Sequence, residues 1–112
     1  MTNIPSGVTS LESYTFNGCP NVKITSFGNV ENGNSIAEID ASCFESAGRG
    51  GFGSDVTKIV IGSSVCTIGL NAFTRYGNIK EVTIYLENGE TADKFDINAI
   101  GLGGAQVEYK FQ

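Results

Sequence analysis

The strongest constraint on the fold is an internal repeat of apolar residues. Three segments place apolar side chains at relative positions 0, 3 and 8, and the last position is always phenylalanine. These segments are Val8-x-x-Leu11-x-x-x-x-Phe16, Ile36-x-x-Ile39-x-x-x-x-Phe44 and Val65-x-x-Ile68-x-x-x-x-Phe73. A repeat of this kind is typical of solenoids, because one unit alone cannot bury its apolar face and must stack on its neighbours.

A second apolar group follows each phenylalanine and fixes the length of the unit. It comprises Ile79, Val82 and Ile84 after Phe73 and, once six residues are omitted, Val56, Ile59 and Ile61 after Phe44; the same positions after Phe16 hold Val22, the polar Thr25 and Phe27. An uninterrupted unit takes 23 residues, whereas the observed spacings are 28 and 29 residues. The additional residues fall at 30–34 and 47–53, and we interpret both stretches as insertions at corners, which solenoids tolerate.

Composition favours strands over helices. Ile and Val together number 19 and Leu only 4, and β-branched side chains pack well on a pleated surface. Alternating patterns predict strands at 57–61, 82–86 and 107–111. One helix is predicted near the C-terminus, with Thr91 as its cap, an apolar face of Ala92, Phe95 and Ala99, and Gly101 at its end.

The third unit is similar to the BspA-type leucine-rich repeat, whose pattern runs roughly V-x-x-I-x-x-x-A-F-x-x-C-x-x-L-x-x-I-x-I-P-x-S. It reads Val65-Cys-Thr-Ile-Gly-Leu-Asn-Ala-Phe73, and the corner at 61–65 follows the pattern with Gly62 in place of proline. Cys19 occupies the family's cysteine position, whereas Tyr76 stands there in the third unit. The resemblance extends from Ile4 to Leu86.

This resemblance implies a short, curved solenoid with parallel strands on one face. Such proteins are mostly bacterial and parasite surface proteins implicated in adhesion, and similar repeats occur in bacteriophage gene products. It implies no enzymatic activity and no cofactor. We therefore expect a mainly β single domain spanning 1–112, with units at about 4–34, 35–64 and 65–86 and a helix-plus-strand cap at 87–112.

Charge and composition argue against several functions. The chain has no histidine, so a Ser-His-Asp or Cys-His catalytic site cannot form within it, and no Ser-x-x-Lys pair replaces one. We expect no enzyme. The net charge of −5 disfavours a nucleic-acid partner, which requires clustered Lys and Arg.

Compartment signals are sparse. The N-terminus has no secretory pattern and no stretch is apolar enough to insert in a membrane. A complete chain would be cytoplasmic or part of a virion, and a fragment of a longer secreted protein would lie at a cell surface. Cys19, Cys43 and Cys66 are most simply interpreted as reduced, buried fillers, with one disulfide as the alternative.

Two groups of residues are candidates for binding. The glycine-rich insertion at 48–53 is a flexible loop or, alternatively, a contact loop anchored by Arg49 and Phe52. Alternation along the strands places Lys58, Val60, Thr83 and Tyr85 outward. Together with Ile24, Val60 and Tyr85 would form an apolar stripe that is covered by the chain's own tail or serves as a partner surface.

A metal site has weaker support. Asn88, Glu90, Asp93 and Asp96 form the densest acidic group, yet they lack the spacing of an EF-hand, and the dipole of the predicted helix accounts for carboxylates near its start. We expect no resident metal, with calcium as a minor alternative.

Two functions remain in competition. The first is a non-enzymatic interaction or adhesion module that binds a protein or glycan surface through the outward strand face and the glycine-rich loop. The second is a bacteriophage virion accessory or decoration subunit that docks through an open edge of the solenoid, as a homo-oligomer or on a larger particle.

Overall fold

In a computed structural model, which describes residues 4–49 and 55–112, the chain winds as a solenoid of about four turns. Within these ranges, seven strands form two parallel sheets on different sides of the coil. The strands are β1 (Ser10–Leu11), β2 (Ser26–Phe27), β3 (Glu38–Ile39), β4 (Lys58–Ile61), β5 (Thr67–Ile68), β6 (Glu81–Leu86) and β7 (Gln106–Phe111). The mainly β stack of parallel strands that the resemblance implied is confirmed, but the strands form two sheets and not one.

The larger sheet has the order β2-β4-β6-β7, and the smaller sheet has the order β1-β3-β5. Corresponding residues of successive turns lie side by side: Val60 pairs with Ser26 on one side and Thr83 on the other, and Thr83 pairs with Glu108. Because every pairing is parallel, each strand must be reached by a crossover, and one turn of the coil supplies it.

The repeated phenylalanines stack along the axis of the solenoid. The rings of Phe16 and Phe44 are 5.0 Å apart, and those of Phe44 and Phe73 are 5.5 Å apart. Phe27 contacts both Phe44 and Phe73 edge-on from the larger sheet. These contacts join the core of successive turns, which offsets the small number of hydrogen bonds within each short strand.

The corner that carries the phenylalanines repeats its backbone conformation from turn to turn. Left-handed residues recur two positions before the phenylalanine, at Tyr14, Ser42 and Asn71, and two positions after it, at Gly18, Ser46 and Arg75. Backbone hydrogen bonds join the corners, including Phe16 N–H to the Cys43 carbonyl (2.8 Å) and Phe44 N–H to the Ala72 carbonyl (2.8 Å). The units therefore share backbone geometry as well as an apolar pattern.

The predicted C-terminal helix does not form, so the helix-plus-strand cap is not confirmed. Only a 3-10 turn at Ala92–Lys94 is present, and Phe95 after it is extended. The following segment stacks on the previous turn, because the carbonyls of Ala99 and Ile100 accept from Asn71 and Phe73 N–H. The hydrogen-bonded ladder between corners therefore continues into this segment.

The chain end is tied to the two corners beside the larger sheet. The Gln112 side chain accepts from Ser63 N–H (2.9 Å) and donates to the Asn29 carbonyl. Asn29 in turn accepts from Ser64 N–H through its side-chain oxygen (2.8 Å). Three turns of the coil are thus connected by one polar network.

The cysteines do not all occupy the expected environment. All three are free, and Cys43 is buried, but Cys19 and Cys66 are exposed. Cys19 lies at the outer end of its corner and Cys66 precedes β5, so neither side chain points into the core. The prediction of three buried fillers is right for Cys43 and wrong for the other two.

Thiol labelling should separate these cysteines. Burial raises the pKa of the Cys43 thiol from 9.0 to about 11, so the reactive thiolate is scarce near neutral pH as well as inaccessible. We expect a disulfide reagent at pH 8 to modify two thiols rapidly in the native protein and a third only when the chain unfolds. Mass spectrometry after a short pulse should find Cys43 unmodified, and rapid labelling of Cys43 would contradict the buried position.

Candidate interaction surface

The outward side of the larger sheet brings together the four strand residues predicted from alternation. Lys58 and Val60 lie on β4, and Thr83 and Tyr85 lie on β6; Lys58 is exposed and the other three are half-buried. Val60 is directly opposite Thr83 in the strand register. The intervening residues of the two strands point into the core, since Ile59, Ile61, Val82 and Ile84 are almost fully buried.

Ile24 does not belong to this surface, and its predicted outward position is wrong. Its side chain is only 1% exposed, and its carbonyl accepts a hydrogen bond of 2.6 Å from the Tyr76 hydroxyl. The reason is that β2 contains only Ser26 and Phe27, so strand alternation does not extend back to position 24. Thr25 takes the exposed position in its place.

The C-terminal tail does not lie across the outward face. Residues of β7 pair with β6 along six positions, from Glu81 opposite Gln106 to Leu86 opposite Phe111. The tail therefore widens the sheet, and its outward residues Glu108 and Lys110 extend the same face. Val60 and Tyr85 remain half-buried among neighbouring strand residues.

Two adjacent grooves cross this face. The first, of about 430 Å³, is lined by Lys23, Thr25, Ser26, Asp55, Val56, Thr57, Lys58 and Val60. The second, of about 390 Å³, is lined by Lys58, Glu81, Val82, Thr83, Gln106, Val107, Glu108 and Lys110. Lys58 stands between them and lines both.

Charge is distributed unevenly along the grooves. In the second groove Lys110 pairs with Glu108 at 3.2 Å, and both side chains are more than half exposed, so this ion pair contributes little to stability. Lys58 forms no ion pair with any residue of 4–49 or 55–112. Its ammonium group is therefore available to an external acceptor, beside the apolar side chain of Val60.

The two loop candidates have different outcomes. Phe52 lies outside the described residues. Arg49 is exposed and lines neither groove of the strand face; it lies instead beside a third depression together with Arg75. Arg75 was missed from the sequence, although it is the only other arginine and stands two residues after a repeat phenylalanine.

The acidic group near the C-terminus is engaged in local contacts. Glu90 accepts a hydrogen bond from Glu87 N–H (2.7 Å) and pairs with Lys94 at 3.0 Å. The hydrogen bond from Glu87 is the main reason that the pKa of the Glu90 carboxyl is lowered, and Lys94 lowers it further. Asp96 accepts from Ala99 N–H. Within the described ranges, no three Asp, Glu or Cys side chains are grouped as a metal site would need.

Comparison with known proteins agrees with the geometry. Residues 1–95 match the family described as BspA type leucine rich repeat region (6 copies). The chain belongs to this family. No curated protein and no solved structure matches it.

Membership of the BspA-type leucine-rich repeat family supports a protein-interaction module in general, and such repeats are typically non-enzymatic binding scaffolds. In the part of the chain that the structure describes, no helix has the length and apolar character needed to cross a membrane. The parallel stack, the family match and the open strand face are the observations on which a functional proposal can rest.

Proposed function

We propose that this protein is a non-enzymatic interaction module that binds a partner protein through the outward face of its larger sheet. The observation that carries the proposal is the face itself: two adjoining grooves that share Lys58 and have the half-buried Val60 beside them. Backbone hydrogen bonds of the parallel sheet hold the strands at fixed spacings, so the backbone of this face loses little conformational entropy when a partner binds.

The composition of the face fits a protein ligand. Val60 and Tyr85 offer apolar and aromatic contact area, and Lys58, Thr83 and Glu108 offer hydrogen-bonding groups around it. A small apolar centre with a polar rim is the usual anatomy of a specific, reversible interface. Adhesion at a cell surface is one setting in which such a module operates. A glycan surface is the alternative ligand.

Substitution of Val60 and Tyr85 by glutamate should abolish binding while the protein stays folded. Both side chains are only half-buried, whereas a charge at the centre of an interface must be desolvated without a partner. A random peptide-display library selected on the wild-type protein supplies the ligands for this test. We expect most selected peptides to lose at least about tenfold in affinity for the double variant.

The matched control changes residues of the same kind elsewhere. Leu70 and Tyr14 are 62% and 66% exposed and lie outside the strands of the larger sheet, so their replacement by glutamate should leave peptide binding unchanged. Circular dichroism establishes that both double variants are folded. Selected peptides that bind the folded Val60 and Tyr85 variant at full strength would refute the proposal. A glycan array probed with the wild-type protein tests the other ligand class, and binding to glycans when no peptide is selected would replace the protein ligand.

A second candidate function is favoured by the edge of β7. Among the described residues this strand is paired on one side only, and it carries the half-buried Val107 and Tyr109 and the exposed Phe111, which is 71% exposed. Unpaired strand edges are docking sites for other chains, which fits a virion accessory subunit or a homo-oligomer. Light scattering tests this alternative: association that disappears in Phe111→Lys supports edge docking, and a monomer at high concentration counts against self-association.

A further inference from the structure

The chain contains two arginines, and both line the same depression. This depression, of about 220 Å³, lies beside the phenylalanine-bearing corner of the third turn. Arg49 and Arg75 share it with Tyr76, Asn78, Leu102 and Ala105 among others, and no acidic residue of the described ranges contributes to its lining. In a protein with a net charge of −5, this is a local concentration of positive charge.

The stacking of the coil explains why the two arginines meet. Gly77 N–H donates to the Ala47 carbonyl at 2.8 Å, which places Gly48 beside Gly77. Arg49 therefore comes alongside Asn78, and Arg75 stands two residues before Gly77 on the same corner. Residues 26 positions apart in the sequence are thus brought to one site by a single turn of the solenoid.

The guanidinium groups lack partners within the part of the protein that the structure describes. Neither arginine side chain forms a hydrogen bond or an ion pair with another residue of 4–49 or 55–112. Each guanidinium carries five N–H donors in a planar fork, and two like charges beside one depression repel each other. An oxyanion between them would accept from several of these donors and offset the repulsion.

The corner backbone does not itself require an arginine at position 75. Its φ is +55°, and the equivalent residues of the first and second turns are Gly18 at +71° and Ser46 at +58°. Glycine is the residue that adopts this left-handed conformation with the least strain, so the corner can form without the Arg75 side chain.

We propose that Arg49 and Arg75 form a binding site for a carboxylate side chain of a protein partner. Paired guanidinium groups recognise the planar carboxylate through parallel N–H···O hydrogen bonds. The volume of the depression suits one acidic side chain, and the apolar Leu102 and Ala105 contact its methylene groups. The choice of a protein as the ligand rests on the proposed interaction function. The preference for an anion rests only on the two arginines that line the depression.

The test uses the arginines themselves as reporters. Because the chain has only two arginines, an ¹⁵N-labelled sample gives only two arginine Nε–H signals, and both come from this site. The probe is a short peptide with two central glutamates and blocked ends, titrated into the full chain. We expect both signals to shift in a saturable manner, whereas the matching glutamine peptide shifts neither.

Three variants distinguish the site from general charge attraction. Arg75→Gly places at this position the residue found at Gly18, so the fold should persist while affinity for the glutamate peptide falls about five- to tenfold. Arg49→Gln, an exposed substitution, should weaken binding similarly. Lys80→Gln removes the same charge from an exposed residue outside the depression and should leave binding unchanged.

The remaining outcomes overturn the proposal. If the glutamate peptide shifts neither arginine signal, there is no carboxylate site here. If Lys80→Gln weakens peptide binding as much as the arginine variants do, the binding is only general charge attraction. Inorganic phosphate and glucuronate are titrated as separate arms: shifts as strong with either one reject the assignment to a protein carboxylate. The Val60 and Tyr85 double variant should bind the probe normally, so failure here and failure of the strand-face proposal are separate results.

Discussion

Replacement of Phe44 by alanine is expected to lower the free energy of unfolding by about 3–5 kcal/mol. Phe44 is completely buried, and its ring lies 5.0 Å from Phe16, 5.5 Å from Phe73 and 4.9 Å from Tyr76. Truncation would remove contacts to the turn before and the turn after at once. For a domain whose total stability is of order 5–15 kcal/mol, such a loss is a large fraction of the whole.

The expected loss can be measured by urea unfolding followed by circular dichroism, since the chain has no tryptophan to report by fluorescence. Phe16→Ala is the matched control, because Phe16 is only half-buried and stacks on one neighbouring ring, that of Phe44. We expect a clearly smaller loss there. Equal losses at the two positions would mean that the central ring contributes no more than the end of the stack, which contradicts coupling between turns.

The repeat allowed much of the fold to be predicted, because its apolar positions indicate both the core and the strands. Apolar residues at fixed spacing identified the core side of each unit, and the three predicted strands are present as β4, β6 and β7. Four outward residues followed directly from alternation on β4 and β6. Where a strand is only two residues long, as at Ser26–Phe27, alternation fails, and Ile24 turned out to be buried.

The error about the C-terminal helix reflects contacts between turns. The segment after Thr91 has helical spacing, yet its carbonyls at Ala99 and Ile100 are used by the preceding corner, and local propensity is overridden. The site of Arg49 and Arg75 could not be predicted for a similar reason. It depends on which corner residues lie beside one another after insertions of unequal length, and only the hydrogen-bonded ladder at Gly77 defines that register.

Replacement of Gly77 by alanine is the second large effect that we expect. Gly77 has a φ of +57°, where a side chain costs about 1–2 kcal/mol, and an added Cβ would lie 2.5 Å from the Val56 carbonyl oxygen and 2.7 Å from its nitrogen. These are backbone atoms, so relief requires two turns to separate, and overpacking of this kind typically costs about 1–3 kcal/mol more.

Gly18→Ala separates strain from steric conflict, because Gly18 has a φ of +71° and no described atom lies within 4 Å of its added Cβ. We expect this control to lose only about 1 kcal/mol, as the left-handed backbone alone predicts. Urea unfolding of both variants makes the comparison. Similar losses of unfolding free energy in the two variants would mean that the close approach of Gly77 to Val56 is unimportant. A much larger loss for Gly77→Ala would show that this contact between turns determines how they stack. Gly77 N–H also donates to the Ala47 carbonyl, the hydrogen bond that places Arg49 beside Asn78, so separation of the turns in Gly77→Ala should also weaken carboxylate binding at the arginine pair.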